Sequence, residues 1–230
     1  AKTIAENISK HLQQGEKAVA LPEVSTKASA STQHVTFPSA QTHILIGMIG
    51  IKRSDPDYFP LVVGNHLLGK MPLTSLLFKN VRINHGLAYS VSSQFIAMKD
   101  AGPFMISMQT RNEKANEALK ISTDTLANFM KNGPTPVELD LAKQNLTGQF
   151  PMNIASNSNK LEIISNIGFY NLPLDYLDTY IDKVNAVTVA DIVKTFSKHI
   201  NLNQLTVVTV GNKIDDTKAA STTTLSGTKQ

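Results

Sequence analysis

The sequence predicts an α+β fold, a largely antiparallel sheet with helices packed on one face. Three observations carry this. Short strand-length segments rich in apolar residues lie at 33–37, 43–50, from Leu87, at 103–109 and at 205–210. Longer segments with helical periodicity separate and follow them, two opened by Thr-x-x-Glu. The order is strand-strand-helix-helix-strand-strand, then several helices, then a last strand, rather than the regular alternation of a parallel sheet.

Taken in order, Ile4, Ile8 and Leu12 mark a leading helix over residues 1–13. Residues 14–32 are polar and rich in small residues, with Pro22, and read as a linker. The expected organisation is a helix and linker over 1–32, a domain over 33–212 and a polar, disordered tail over 213–230. In the second strand Ile44, Leu45, Ile46, Met48 and Ile49 are nearly continuous, which predicts a strand covered on both faces. Asp55-Pro56 opens a helix that carries Tyr58, Leu61, Val62, His66 and Leu67 towards Gly69. A shorter helix is expected over Thr74–Asn84, with Leu76, Leu77 and Val81 inward.

The strand from Leu87 alternates. Leu87, Tyr89, Val91 and Phe95 are expected on one face, and Ser90, Ser92 and Gln94 on the other. Thr110 and Glu113 have the spacing of a capping box for the helix carrying Ala115, Ala118, Leu119, Leu126, Phe129 and Met130. Gly133-Pro134 ends that helix, and Thr135 with Glu138 opens the next, with Pro136 in its first position. Further helices are expected around 137–150, 159–171, 174–186 and 189–200.

Composition narrows the function classes. The chain has 230 residues, 41% hydrophobic and 17% charged, as a soluble globular protein has. No run approaches the ~18 apolar residues of a membrane span. The net charge of +4 is mild and the Lys and Arg residues are scattered, so nucleic-acid binding has little support. The lack of cysteine excludes disulfides, thiolate metal sites and a cysteine nucleophile. A catalytic zinc needs three protein ligands. The histidines, His11, His34, His43, His66, His85 and His199, include no pair at three- or four-residue spacing, so no metal ligand is assigned. Nucleophile elbow, phosphate loop and dinucleotide fingerprint are all absent. Asn145-Leu146-Thr147 is a formal glycosylation acceptor inside a predicted helix and is discounted.

The segment Arg82-Ile-Asn-His-Gly-Leu-Ala-Tyr89 stands out. A helix end, a turn at Gly86 and a strand from Leu87 put Arg82 on the last helical turn and Tyr89 near the strand's start. Guanidinium and phenol are both donors and could grip one peptide carbonyl or an oxyanion formed on it. The ordinary alternative is a surface ion pair and a core tyrosine.

Asn80-Val81-Arg82 with Gly86-Leu87-Ala88-Tyr89-Ser90-Val91 resembles the arginine–tyrosine motif of the pitrilysin-type (inverzincin) zinc metallopeptidases, in their non-zinc half. Ser54–Tyr58 resembles the start of that family's first helix, Asn65–Gly69 its helix end, and Gly133–Leu139 with Ala142-Lys143 a further segment. The resemblance covers about residues 30–212 and points to the bacterial two-domain type, related to the mitochondrial processing peptidase. It implies the same α+β fold, repeated in the full protein. It implies that this chain is the C-terminal half of a zinc metalloendopeptidase, inactive alone. The zinc and the His-x-x-Glu-His motif would lie outside it, in an N-terminal half or a partner subunit of a homo- or heterodimer. Peptide would be held by Arg82 and Tyr89, with His85 a further donor when protonated. A non-catalytic structural or assembly homologue is the alternative. Bacterial periplasm and cytoplasm both stay open, since any signal peptide would precede Ala1. Two departures stand out. Gly69–Leu77 is less glycine-rich than the family pattern and lacks the long glycine-rich loop of the processing peptidase α subunit. Leu76 stands where the family commonly has arginine.

Overall fold

Five strands form one sheet in the computed structural model, which describes residues 2–212 except 17, 20, 21, 23 and 26–28. They are β1 (Ser31–Thr36), β2 (Gln41–Ile49), β3 (Ala88–Phe95), β4 (Pro103–Arg111) and β5 (Thr206–Gly211). Their spatial order is β1-β5-β2-β4-β3. β1 runs parallel to β5 and every other pairing is antiparallel. The helices are α1 (Lys2–Lys10), α2 (Tyr58–Asn65), α3 (Ala115–Asn132), α4 (Pro136–Asn153), α5 (Asn157–Phe169), α6 (Tyr176–Ala186) and α7 (Val189–His199). This is the predicted α+β class with its largely antiparallel sheet. The expected tail over 213–230 and part of the expected linker lie outside the described residues. Among the described residues, no helix is long and apolar enough to cross a membrane.

The core lies between one face of the sheet and the helices. Ile44 and Ile46 from β2 and Phe104 and Ile106 from β4 meet Leu61 and Val63 of α2, Leu126 of α3 and Ile192 of α7. Phe196 of α7 packs edge-on against Phe129 at 5.0 Å and Phe95 at 5.8 Å between ring centres. Asn65 fastens α2 to β3: its Nδ2 donates to Ser93 O at 3.0 Å and its Oδ1 accepts from Ser93 Oγ at 2.7 Å. Beyond α2 the chain continues as a π-helical stretch, His66–Lys70. Gly69 there lies so close to Ser93 that a Cβ would collide with its backbone nitrogen and hydroxyl.

Three expectations need correction. β2 is not covered on both faces: Thr42, Ile44 and Ile46 point into the core, while Gln41, His43 and Leu45 point out and Leu45 is 44% exposed. Its apolar run divides between a packed face and an open one. Thr110 caps no helix. It lies in β4, which stays paired through Arg111, and its Oγ1 donates to Leu87 O at 2.6 Å. A short 3₁₀ turn, Asn112–Lys114, then leads into α3. The third is the face that Tyr89 takes at the start of β3.

The box at Thr135 and Glu138 does form. Glu138 N donates to Thr135 Oγ1 at 3.3 Å, and Thr135 N to Glu138 Oε2 at 2.9 Å. A second box, at Thr188 and Asp191, opens α7.

Candidate functional site

Arg82 sits in a π-helical turn, Phe78–Ile83, at the end of the helix predicted over Thr74–Asn84. Asn84 N donates to Lys79 O at 2.9 Å, a bond spanning five residues, so this turn is wider than an α-turn. Gly86 then holds φ +60°, and Leu87 N returns to Val81 O at 2.9 Å. A Cβ at Gly86 would meet nothing within 4 Å, so glycine is needed there for its backbone conformation and not for space.

β3 begins with a bulge. Ala88 pairs with Thr110 and Val91 with Met108, so Tyr89 and Ser90 together oppose Gln109 alone. Strict alternation therefore fails. Ala88 and Val91 both point into the core, and Tyr89 and Ser90 both point out. The sequence expectation placed Tyr89 on the face of Leu87 and Val91. The extra residue of the bulge turns it over instead, leaving it 81% exposed. Further along β3, Ser93 is buried rather than Ser92, as its bonds to Asn65 require.

Arg82 and Tyr89 do come together. The guanidinium carbon lies 4.4 Å from the centre of the Tyr89 ring and 4.9 Å from that of Phe78. Arg82 Nη1 donates to the Tyr89 carbonyl at 2.7 Å. Among the described residues Arg82 makes no ion pair and the Tyr89 hydroxyl has no hydrogen-bond partner. The arrangement is thus neither a surface ion pair nor a core tyrosine. One guanidinium N–H is spent on the tyrosine's own backbone, and the phenol remains available.

His85 sits beside the pair with its Nδ1 2.7 Å from Asn80 O. A carbonyl only accepts, so the proton of the neutral ring is on Nδ1 and Nε2 carries a lone pair. His85 can therefore donate outward only when doubly protonated. Asn80 organises the turn: its Nδ2 donates to Thr125 Oγ1 at 3.0 Å and its Oδ1 accepts from Asn84 Nδ2 at 3.3 Å. Sequence reasoning assigned no role to Asn80, to Phe78 beneath Arg82, or to Thr110 on Leu87 O. Only the spacing Phe78 to Arg82, one helical turn, hinted at the stack. Leu76 is half-buried against the core.

The described residues do not suit a catalytic zinc. One group of possible ligands, Asp55, Asp57 and His199, has its donor atoms within 4.8 Å of one another. Lys198 Nζ, however, lies 2.6 Å from Asp57 Oδ2, and His199 Nε2 lies 2.8 Å from the same oxygen. Hydrogen bonds from Lys198 and His199 hold the Asp57 carboxyl below its usual range. The group is an ion-pair cluster that already contains its own cation.

Fold and site together define a helix-backed half-sandwich with an arginine–tyrosine pair at the start of an edge strand. The family profile described as the peptidase M16 inactive domain matches residues 1–146, and the chain belongs to that family. A crystal structure of a peptidase M16 inactive domain from Pseudomonas fluorescens superposes with a TM-score of 0.87 at 37% identity, covering 93% of this chain and 51% of that one. The uncharacterized zinc protease YmxG of Bacillus subtilis is 31% identical over 150 residues, 64% of this chain and 36% of its own length. The non-peptidase homolog YmxG of Helicobacter pylori is 28% identical over 142 residues, 62% of this chain and 33% of its own length. The chain thus matches only about a third to a half of the length of each of these relatives.

Proposed function

We propose that this chain is the substrate-positioning half of a zinc metalloendopeptidase, and that Arg82 and Tyr89 hold the backbone of the bound peptide. The observation that supports this most is the exposed Tyr89 hydroxyl, without a hydrogen-bond partner among the described residues, held beside a guanidinium already braced on two rings. The brace fixes the arginine before any peptide arrives, so little side-chain freedom is left to lose on binding. The phenolic O–H and the remaining guanidinium N–H groups donate to a peptide carbonyl. As that carbonyl becomes tetrahedral its oxygen gains charge, and both bonds strengthen. Contacts to the peptide backbone imply broad sequence tolerance.

A zinc-bearing N-terminal half or partner subunit, in a homo- or heterodimer, would supply metal, water and general base. The helix and linker over 1–32 would connect to it, and the domain over 33–212 would form the substrate-gripping wall. His85 would add a donor only when protonated.

The test is Tyr89→Phe in the assembled enzyme. Turnover should fall by about ten- to a hundredfold, equivalent to roughly 1–3 kcal/mol, with zinc content and unfolding midpoint unchanged. Unchanged turnover would remove the role. One observation favours a second reading, a non-catalytic assembly homologue: the H. pylori relative is named a non-peptidase homolog. An assembled protein that binds zinc-free and cleaves no unfolded peptide would decide for it.

A further inference from the structure

A cavity of about 540 Å³ opens at the end of the sheet opposite to Arg82 and Tyr89. Thr42 lies near the Arg82 end of β2, and Ile49 seven residues on, a span of roughly 23 Å. Past Ile49, Arg53 N donates to Met98 O at 2.7 Å and the side chain enters the cavity. The turn between α5 and α6 supplies Leu172 and Pro173, and α6 supplies Tyr176 and Lys183.

Arg53 is held flat. Its guanidinium carbon lies 3.8 Å from the Tyr58 ring centre and 5.1 Å from that of Tyr176, and Nη2 donates to the Tyr176 hydroxyl at 2.7 Å. Lys183 Nζ lies 6.0 Å from the same Tyr176 ring and 5.7 Å from Phe59. Two cations therefore flank one tyrosine. Among the described residues neither has an ion-pair partner. The two carboxylates on the cavity wall are engaged elsewhere. Asp55 Oδ1 accepts from Asp57 N at 2.8 Å, and Asp191 accepts from Thr188 N at 2.9 Å in the cap of α7. Both cations lie within about 6 Å of the same ring and both line the cavity, so an anion bound there is attracted by two positive charges.

We propose that this cavity binds a carboxylate-bearing segment of a peptide. The carboxylate sits between Arg53 and Lys183, and an adjoining apolar side chain lies against Phe59, Leu172 and Pro173. Arg53 has spent one donor on Tyr176 and keeps further N–H groups for a carboxylate. The apolar walls match a side chain next to that charge, and the volume lies within the range of ligand pockets. The carboxylate of a chain end and that of an Asp or Glu side chain present the same chemistry to this site. This site stands on its own observations and does not rest on the Arg82–Tyr89 reading.

The test is a titration of the isotope-labelled 230-residue chain at neutral pH, followed by amide chemical shifts, with three probes. N-acetyl-Leu-Phe carries a chain-end carboxylate, N-acetyl-Leu-Phe-amide none, and N-acetyl-Glu-Phe-amide a side-chain carboxylate. At least one acid should shift resonances at 171–183 saturably and bind about tenfold more tightly than the uncharged amide. Preference between the two acids identifies the source. Lys183→Met and Arg53→Gln should each weaken the acid by about five- to tenfold and leave the amide unchanged. Should Arg53→Gln fail to fold, Lys183→Met, at a half-exposed position, decides alone. Equal binding of acid and amide overturns the proposal. So does no shift up to about 10 mM probe, or an acid affinity that Lys183→Met leaves untouched.

Discussion

At one end of the sheet Arg82 lies 4.4 Å over Tyr89; at the other Arg53 lies 3.8 Å over Tyr58 and donates to Tyr176. Both are arginine-on-tyrosine stacks, and they differ in where the guanidinium spends its first hydrogen bond. Arg82 gives it to a backbone carbonyl, which leaves the Tyr89 phenol free and in solvent. Arg53 gives it to the Tyr176 phenol, in a ring that is only 8% exposed. Burial also pushes the neighbouring Tyr58 hydroxyl up to about 12, so it stays neutral at any ordinary pH. The same pair of residue types thus makes an outward-facing donor at one end and the rigid wall of a cavity at the other.

The largest effect that would sharpen this contrast is expected from Arg82→Ala. It removes both a donor and the brace beneath Tyr89, so under the proposed substrate-positioning role turnover of the assembled protein should fall by about 3 kcal/mol of transition-state stabilisation. The half-buried position at a helix end should change unfolding free energy by less than about 1 kcal/mol. A stability loss large enough to account for the activity loss would make Arg82 a structural residue and erase the contrast.

Tyr176→Phe comes next. It deprives Arg53 of its hydroxyl partner at a buried ring, and urea unfolding should show a loss of about 1–2 kcal/mol. Tyr89→Phe, whose hydroxyl has no partner among the described residues, should cost nothing measurable in the same assay. Equal costs at the two positions would break the comparison.

The smallest effect concerns His66, buried between the two ends with its Nε2 2.8 Å from Asn145 Oδ1. Burial lowers its pKa below the ordinary value of 6.5, outweighing the bond from Asn145. The unfolded chain then binds the proton more readily than the folded one. Stability is full above pH 6.5 and declines as pH falls from there through the folded value. Unfolding midpoints measured across that range should fall with acidification in the wild type and flatten in His66→Gln. A midpoint insensitive to pH below 6.5 in the wild type would show that His66 is well solvated.

Much of the architecture was legible because it rests on local signals. Thr135, Pro136 and Glu138 carry a helix start wherever they are placed. Gly86 sits where the chain needs positive φ, and Gly133, also at positive φ, ends α3. The adjacency of Arg82 and Tyr89 followed from a helix end, a turn and a strand start within eight residues. The direction in which Tyr89 points did not follow. It depends on one extra residue of β3 against β4, a count set by pairing with a strand that begins fifteen residues later.

The amino-acid order alone determined the class of fold, the helix cap at Thr135, the arginine–tyrosine spacing and the lack of a zinc motif, since each is a matter of near neighbours. Tertiary structure decided which face of β2 stays open, because helices cover one side of the sheet only. It decided that Tyr89 faces solvent, and it brought Tyr176 onto Arg53 from 123 residues away. Contacts across such distances arise from the packing of whole elements, and no local pattern of residues encodes them.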